Sequence, residues 1–411
     1  MSTLGEPIQL TLTGYAYGGE AFARDSDGRV VFVPYSMDGE TVQVELLEEH
    51  KRWARAGLLS VIEPSSERVL PACRHYQVCG GCHYQHMGYD AQLQAKARIV
   101  RDQLQRLGGL DSPKINQTVP CPDPWFYRSR LSLHVTPEGR LGYVAAAGDR
   151  VFAIDECHLP IPAVDQLWQS LDVAELEGVV RVDVQSADGQ NMIVFYADQP
   201  PDQAIEIGLP ASIVWITPEG SWILAGGEPL VFDVLDRSFQ VSAGSFFQVN
   251  PHLTPSLVDK VMTAADILEG DTVFDLYAGV GLFSAFAAAR GAAIVAVEGS
   301  TSACRDFEAN LDPFDGVELY EATVAQALPV ITRQADVIIV DPPRAGLGSD
   351  VVEGVLRHAP RRLVYVSCDP ATLARDGRGL AAGGYELLEC TPIDLFPQTY
   401  HIETVSVWQR A

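Results

Sequence analysis

The chain shows three successive patterns of hydrophobic and polar positions. Between residues 8 and 62, apolar and polar residues alternate in short runs separated by turn residues, and this period of two predicts β-strands. The predicted strands are Gln9–Thr13, Val30–Val33, Thr41–Leu46 and Ala56–Ile62. Several short strands in so few residues indicate a small barrel of the oligonucleotide-binding type. Its aromatic residues can stack on bases or fill the interior, and they include Tyr15, Tyr17, Phe22, Phe32 and Tyr35.

The second pattern, from about Arg128 to Gln240, consists of hairpins. Pairs of alternating runs flank the turn segments Pro137–Gly139, Ala187–Gly189 and Pro218–Gly220. Such turns join adjacent strands that run in opposite directions, so this region is predicted to be an antiparallel β domain.

After Asn250, apolar strands alternate with amphipathic helices such as Leu282–Arg290 and Ala303–Leu311. This alternation predicts a doubly wound parallel sheet. Its predicted strands are Thr272–Leu276, Ala293–Val297, Val317–Tyr320, Asp336–Val340, Leu363–Val366, Tyr385–Leu388 and Thr404–Trp408.

Length and composition agree with several domains, because 411 residues with 47% hydrophobic content can bury more than one core. The chain contains no run of about 18 apolar residues and no basic segment followed by an apolar one at its start, so we expect a cytoplasmic protein without membrane contact. The net charge of −25 argues against a nonspecific nucleic-acid coat. Residues 50–106 nevertheless carry nine basic residues and four acidic ones, which suits either a selective RNA site or a solvated face.

Candidate catalytic chemistry lies late in the chain. Cys368 follows the apolar run Leu363–Val366, and Glu403 lies further along the same predicted domain. A thiol and a carboxylate can act as nucleophile and general base. Methylation of uracil at C5 requires such a pair, because a thiolate must add to C6 to activate C5 and a base must later remove the C5 proton. A single cysteine at a strand end is, however, more often a small buried hydrophobic residue.

A glycine-containing turn, Asp275–Gly281, follows the first strand of this sheet and precedes a helix. Its residues Gly279 and Gly281 allow a nucleotide-like ligand to approach the backbone at the helix N-terminus. Glu298 ends the second strand, where a carboxylate can accept both ribose hydroxyls. The pair fits S-adenosylmethionine or NAD, and Ser284 occupies the third small position of the dinucleotide fingerprint.

The fourth strand ends in Asp341–Arg344, in which two prolines fix an extended loop and orient Asp341. Amino-methyltransferases hold a planar base with a similar Asp-Pro-Pro-Tyr loop, so this motif favours methyl transfer over hydride transfer. A proline-stiffened turn with a capping aspartate is the alternative. Tyr277, Glu298, Asp341 and Cys368 all end predicted strands, where open α/β sheets bind ligands.

Cys73, Cys79 and Cys82 are separated by five and two residues, a spacing that suits a metal site better than disulfides in a cytoplasmic protein. Cys157 is a candidate fourth ligand, with Cys121 as the second choice. Spacing alone leaves zinc and a [4Fe–4S] cluster open, because both accept four thiolates. The two remaining cysteines, Cys304 and Cys390, are predicted to be structural.

Together these motifs resemble the RNA uracil-C5 methyltransferases, the family that modifies 23S ribosomal RNA and the T-loop of tRNA. The similarity covers nearly the whole chain. It is carried by Gly18–Glu20, Val31–Pro34, Gly39–Glu40, Cys73, Cys79–Cys82, Cys157, Ser245–Asn250, Asp275–Gly281, Glu298, Asp341–Arg344, Ser367–Pro370 and Phe396–Glu403. One departure is Tyr320–Val324, where the family usually has a Gly-Asp or Gly-Asn pair that holds the adenine.

The resemblance implies a role for each motif. The barrel would be a TRAM domain that binds RNA, and Cys368 and Glu403 would be the nucleophile and the base. The implied ligands of a [4Fe–4S] cluster are Cys73, Cys79, Cys82 and Cys157. The implied residues for S-adenosylmethionine are Gln248, Tyr277, Gly279, Gly281, Glu298 and Asp341.

We therefore expect an OB-like TRAM barrel at 1–63, a central antiparallel β domain with the cysteine cluster at 64–245, and an α/β Rossmann-like class I methyltransferase domain at 246–411. The expected enzyme is a monomer that methylates C5 of a uridine in RNA, in 23S ribosomal RNA rather than the tRNA T-loop. One alternative is an RNA-binding protein with an inactive methyltransferase domain, which the presence of Cys368 and Glu403 disfavours. An NAD-dependent oxidoreductase, the other alternative, explains neither the barrel nor the cysteines.

Overall fold

The computed structural model describes residues 6–201 and 208–410. Strands in this part of the chain form a six-stranded sheet, two seven-stranded sheets and a two-stranded hairpin. No helix among the described residues is both long enough and apolar enough to cross a lipid bilayer.

The first sheet is a half-barrel, called the barrel below, and has the strand order β1-β5-β6-β4-β3-β2. Its strands are β1 Ile8–Thr11, β2 Gly14–Tyr15, β3 Glu20–Arg24, β4 Val30–Pro34, β5 Thr41–Glu49 and β6 Trp53–Glu63. Alternate side chains such as Val31, Val42 and Ala54 form its core. All four predicted strands are present, whereas β2 and β3 were not predicted. The buried positions of β3 are Ala21 and Ala23, and alanine gives little β signal.

Helix α1, Tyr89–Arg106, follows the segment with the three clustered cysteines and packs against the C-terminal part of the chain. Its residues Ile99, Val100 and Leu104 belong to the same apolar core as Leu373 and Ala374. The helix therefore connects the N-terminal third of the chain to the C-terminal sheet.

The central sheet has the order β13-β12-β11-β10-β7-β8-β9. Its elements are β7 Arg130–Val135, β8 Leu141–Val144, β9 Val151–Ala153, α2 Pro162–Gln169, β10 Val179–Ala187, β11 Gln190–Ala197, β12 Ser212–Thr217 and β13 Gly220–Ala225. The three predicted hairpins are confirmed. The sheet is not wholly antiparallel, however, because β11 and β12 run parallel. Parallel neighbours need a crossover connection instead of a tight turn.

The C-terminal sheet has the order β18-β17-β16-β19-β20-β22-β21 and follows a hairpin, β14 Leu230–Val234 and β15 Arg237–Val241. Its elements are α3 Thr254–Ala265, β16 Thr272–Leu276, α4 Leu282–Ala288, β17 Ala293–Glu298, α5 Thr301–Leu311, β18 Val317–Glu321, α6 Val324–Ala327, β19 Val337–Val340, α7 Gly348–His358, β20 Arg362–Ser367, α8 Pro370–Ala382, β21 Tyr385–Ile393 and β22 Glu403–Arg410. All seven predicted strands are present.

The prediction of a fully parallel sheet is wrong for β22, which inserts between β20 and β21 and runs antiparallel to both. The segment 394–402 between β21 and β22 contains no helix that could return the chain to the opposite edge of the sheet. The chain therefore turns back along its neighbour, and β22 begins where β20 ends.

Candidate active site and cysteine cavity

The antiparallel direction of β22 brings Cys368 and Glu403 to the same edge of the sheet. Ser367 at the end of β20 pairs with Thr404, and Thr404 Oγ1 donates to the Ser367 carbonyl oxygen at 3.1 Å. Cys368 and Glu403 are the next residues outward on the two strands. A parallel β22 would have placed Glu403 at the opposite edge, so the strand direction is what assembles this pair.

Glu403 is a buried carboxyl group, with 4% of its surface exposed. Its Oε1 has no hydrogen-bond partner within residues 6–201 and 208–410. Burial, together with the nearby Asp341 carboxylate, raises the pKa of Glu403 well above its ordinary value. Such a group holds a proton firmly, and once ionised it is a stronger proton acceptor than a solvated glutamate.

The Cys368 thiol is half-buried beside these carboxylates. Burial first, then the charges of Glu403 and Asp341, raise the pKa of Cys368 to about 12, and the Arg344 guanidinium opposes this shift. The thiol is therefore protonated at neutral pH, and its proton must be removed when a substrate is attacked.

Asp369, the next residue, begins helix α8. Its Oδ1 accepts hydrogen bonds from the backbone N–H groups of Ala371 and Thr372, both at 2.9 Å. This N-cap fixes the backbone directly after Cys368, so the thiol is carried by an ordered strand-to-helix loop.

Two further carboxyl groups continue the acidic row along the sheet edge. Asp275 is 1% exposed and accepts a hydrogen bond from Ser284 Oγ at 2.7 Å. Burial raises the pKa of Asp275 to about 6. Burial and then the Asp275 charge raise the pKa of Asp341 to about 7. The carboxyl groups thus disfavour one another's ionisation, as expected for like charges in a site that excludes water.

The two glycines of the predicted cofactor turn have different surroundings. Both have positive φ angles, +55° for Gly279 and +89° for Gly281. A Cβ at Gly279 would meet no heavy atom within 4 Å, so its backbone is open to a ligand. A Cβ at Gly281 would lie 2.4 Å from Leu311 and 2.9 Å from Phe307. Gly281 is therefore required for packing of the turn against α5, and Gly279 is the glycine that a cofactor can approach.

Glu298 ends β17 beside this turn, and its carboxylate is oriented by the backbone. Oε2 accepts from the N–H of Gly279 at 2.8 Å, while Oε1 accepts from Gly299 at 2.8 Å and Ser300 at 2.7 Å. Each carboxylate oxygen has two lone pairs, so Oε2 can accept one further donor such as a ribose hydroxyl. Tyr277 is half-buried at the start of the same turn with a φ of 66°.

Gln248 is buried in the segment that joins β15 to α3. Its neighbours anchor that segment, because Ser245 Oγ donates to Asp306 Oδ2 at 2.5 Å and the Val249 carbonyl accepts from the Ser129 N–H at 2.8 Å. At the predicted adenine position, Thr323 forms a capping box with Gln326 and so begins α6. Its side chain thus has a structural role.

The four predicted ligand cysteines line one cavity, although Cys157 is far from the others in sequence. Burial raises the pKa of all four thiols, to about 12 for Cys82 and Cys157. Further groups at this cavity include Arg128, Tyr143, Glu156 and His158. Ligand atoms of Cys73, Glu156 and His158 lie within 4.8 Å of one another, so the donor set is not restricted to sulfur.

The other cysteines lie elsewhere. Cys121, the second choice for the fourth ligand, is buried beside Asn250, whose Nδ2 donates to its Sγ at 3.4 Å. Cys304 on α5 and Cys390 on β21 are buried, in agreement with their predicted structural role.

Sequence patterns gave no indication of the contacts that hold the loop 394–402. Lys96 on α1 donates to Asp394 Oδ1 at 2.5 Å and to the Phe396 carbonyl at 3.0 Å, and both charged side chains are completely buried. Gln92, one turn earlier, exchanges hydrogen bonds with Gln398. These contacts join residues about 300 positions apart, so no local signal could have revealed them. They position the segment that leads into Glu403.

Known proteins share these features along the chain. A family model described as tRNA (Uracil-5-)-methyltransferase matches residues 327–411, a TRAM domain model matches 2–59, and a model described as Conserved hypothetical protein 95 matches 258–363. An RNA methyltransferase of Halalkalibacterium halodurans is 33% identical, with 97% of this chain and 96% of that protein covered. One from Streptomyces coelicolor is 32% identical, with 100% and 94% covered.

Among solved structures, the tRNA (uracil-54, C5)-methyltransferase of Pyrococcus abyssi in complex with S-adenosyl-L-homocysteine has a TM-score of 0.72 and 26% identity. The similarity covers 94% of this chain and 98% of that one. The fold, the matching family models and the full-length relatives all indicate an RNA methyltransferase. The chain belongs to the family of RNA methyltransferases that includes these full-length relatives.

Proposed function

We propose that the protein methylates C5 of a uridine in RNA through a covalent bond between Cys368 Sγ and uracil C6. The observation that carries this proposal is the pairing of Ser367 with Thr404, which sets a thiol beside a buried carboxyl group. Glu403 Oε1, without a hydrogen-bond partner in the described residues, is free to face a substrate.

The chemistry follows from these two groups. The Cys368 thiol gives its proton to solvent water and its sulfur adds to C6, and the electron pair of the C5–C6 double bond forms an enolate that is nucleophilic at C5. S-adenosylmethionine, when bound, supplies the methyl group to C5. Glu403, in its ionised form, then takes the remaining C5 proton, the double bond reforms and the C6–sulfur bond breaks. Loss of Glu403 should thus trap RNA on the protein.

The cofactor would bind at the turn after β16. Gly279 is open to a ligand and Glu298 Oε2 has a free lone pair beside it. The proposed cofactor site also includes Tyr277, Asp341, Gln248 and the tightly packed Gly281. Glu298→Ala should weaken S-adenosylmethionine binding by roughly 1–3 kcal/mol, the range for charge-assisted hydrogen bonds.

Calorimetry tests the cofactor assignment directly. Glu308→Ala is the matched control, because Glu308 is an exposed glutamate on α5. Tight NAD binding without S-adenosylmethionine binding would contradict the proposal.

The target uridine must leave its stack before Cys368 can reach C6, and unstacking costs a few kcal/mol, least in a loop. We propose 23S ribosomal RNA as the substrate, following the family resemblance. The tRNA T-loop is the second candidate, and the name of the P. abyssi relative favours it. Mapping of 5-methyluridine in RNA from cells that lack the protein separates the two: a site lost from tRNA alone would overturn the ribosomal assignment.

The cavity thiols would hold a [4Fe–4S] cluster. Their chemistry fits, because Cys73, Cys79, Cys82 and Cys157 face one cavity and the Arg128 guanidinium can offset part of the negative charge of four thiolates. Glu156 and His158 near Cys73 favour zinc as the alternative. Anaerobically purified protein should contain about four irons per chain. Colourless protein with one tightly bound zinc would overturn the cluster.

A further inference from the structure

The loop 394–402, which leads into Glu403, is held through its backbone carbonyl groups. Each carbonyl oxygen from Leu395 to Gln398 accepts a hydrogen bond from a distant part of the chain. The donors, in that order, are Asn250 Nδ2 at 3.1 Å, Lys96 Nζ at 3.0 Å, the Tyr127 hydroxyl at 3.0 Å, and the backbone N–H groups of His83 and Tyr84 at 2.8 and 2.9 Å. These donors all lie outside the C-terminal sheet, so other parts of the molecule fix the segment before Glu403.

Gln398 is buried in this loop and has a φ of +67°, in the left-handed region. A residue with a Cβ stays in that region only when its surroundings hold it there. Gln92 on α1 supplies two such contacts: its Oε1 accepts from the Gln398 N–H at 3.0 Å, and its Nε2 donates to Gln398 Oε1 at 3.0 Å. The Gln398 backbone is thus bound through its N–H group by α1 and through its carbonyl group by His83 and Tyr84.

The two residues that bind the Gln398 carbonyl lie beside the cysteine cavity. His83 and Tyr84 directly follow Cys82, which lines the cavity. Tyr76, another lining residue, donates from its hydroxyl group to the His83 carbonyl oxygen at 2.7 Å. Binding of a metal by Cys82 would fix the backbone that follows it, because metal ligands lose conformational freedom when they bind. Hydrogen bonds therefore connect the cavity to this loop.

We propose that Gln398 is a positioning residue that links the cysteine cavity to the catalytic base. When Cys82 holds a metal, the two N–H groups that follow it are held in place and bind the Gln398 carbonyl oxygen. The loop fixed in this way sets Glu403 beside the nucleophile. The inference rests on the proposed function for the role of Glu403 and for metal in the cavity, and it assigns the cavity a part in removal of the C5 proton. Gln398 itself does not touch the reacting atoms.

Amide hydrogen exchange in the full-length protein measures this link without RNA. Cys82→Ser, which should lose its metal, is compared with the metal-loaded protein. The two N–H groups after the substitution should exchange about tenfold faster, the effect of losing one hydrogen bond of ordinary strength, and so should the Gln398 N–H. The N–H groups of Ala371 and Thr372, which Asp369 caps, should keep their exchange rates.

A second measurement separates positioning of the base from a merely structural role. A displaced base slows only the removal of the C5 proton, by up to about 10²-fold for a misplacement of about 1 Å. Cys82→Ser should therefore accumulate RNA joined to Cys368, seen as a protein–RNA band on denaturing gels. Cys304→Ala, which changes a buried thiol on α5, is the matched control and should show no such band.

Gln92→Leu tests the loop without changing the cavity. It removes both contacts of α1 with Gln398, so the variant should keep its metal and still accumulate the protein–RNA band. Gln94→Leu, at an exposed position of the same helix, is the matched control and should accumulate none. If Cys82→Ser does not fold, the absence of the band in Gln92→Leu is enough to overturn the role of Gln398.

An unchanged exchange rate of the Gln398 N–H in metal-free Cys82→Ser would overturn the link, because the effect would then be confined to the cysteine segment. Reduced turnover without the band in Cys82→Ser or Gln92→Leu would also overturn it and would indicate weaker RNA binding instead. Failure of the proposed function gives a different result. If Glu403→Gln traps no RNA, the base assignment is wrong, whereas a band in Glu403→Gln alone removes only the role of Gln398.

Discussion

Cysteine thiols occur in two regions of this molecule with different charged neighbours. Cys368 is a single thiol beside the carboxyl groups of Glu403 and Asp341. In the cavity, four thiols face one another with the guanidinium of Arg128 nearby. Burial raises the thiol pKa in both regions, so burial does not distinguish them. The neighbouring groups distinguish the two regions. A thiol beside a proton acceptor suits covalent catalysis, whereas several thiols around one cavity with a cation nearby suit a metal centre.

The largest expected effect is at the single thiol. Cys368→Ala should lower the methylation rate by at least about 10⁴-fold, in the range for loss of a catalytic nucleophile, because no bond to C6 can form. S-adenosylmethionine binding, measured by calorimetry, should persist. Cys304→Ala, which changes a buried thiol outside both regions, should retain activity. If Cys368→Ala formed product at a rate close to that of the unchanged protein, Cys368 would not be the nucleophile, and the proposed difference between the two thiol regions would be wrong.

Glu403→Gln should lower turnover by roughly 10²- to 10⁴-fold, the contribution of general base catalysis. Because the C5 proton stays in place, the RNA should remain joined to Cys368 after methyl transfer. Denaturing gels with labelled RNA should then show a slowly migrating protein–RNA band, which Glu386→Gln on the exposed part of β21 should lack. Reduced turnover without this band would mean that Glu403 only hydrogen-bonds within the sheet.

In the cavity, one missing thiol should release the metal. Cys82→Ser should lower the iron content from about four per chain to below one, measured by elemental analysis of anaerobic protein. Cys121→Ala, a buried cysteine bound to Asn250 and away from the cavity, should keep its iron. Normal iron content in Cys82→Ser would exclude this thiol as a ligand.

The smallest effect concerns pH and the carboxyl groups beside Cys368. The pKa of Asp275 is raised to about 6, and that of Asp341 to about 7, above the unfolded value of about 3.9. The folded state therefore binds more protons, and the stability these groups contribute is complete below about pH 4 and lost as pH rises to about 7. Asp275→Asn should make the fall in the free energy of unfolding between about pH 4 and about pH 7 smaller by about 2–3 kcal/mol. Urea unfolding at several pH values measures this fall. If the free energy of unfolding of the variant fell as steeply with pH as that of the unchanged protein, the raised pKa of Asp275 would be contradicted.

Much of the fold was predictable because buried strands carry continuous apolar runs. Strand β16 has the predicted bounds, and the ends of β17, β19 and β20 carry the polar residues expected at a ligand-binding edge. Periodicity does not report strand direction, so the reversal of β22 was missed. The consequence was large, because that reversal places Glu403 beside Cys368.

Other site features depend on contacts between distant parts of the chain. The buried pair of Lys96 and Asp394 and the contact of Tyr17 with Tyr400 each join segments more than 290 residues apart. Each residue alone is unremarkable in its local pattern. Gly281 shows the opposite case. The sequence places a glycine turn between β16 and α4, and the structure contains it, but packing against Leu311 is what requires a glycine at this position.

The insertion of β22 also has a consequence for folding. β22 is synthesised after β20 and β21, yet it lies between them in the sheet. The chain must therefore leave a gap, or open one, before its last described strand can enter, and such nonlocal pairing is slow. Glu403 reaches Cys368 only at that step. A partly folded molecule would thus lack the proposed proton acceptor, and we expect maturation of the sheet and acquisition of activity to occur together.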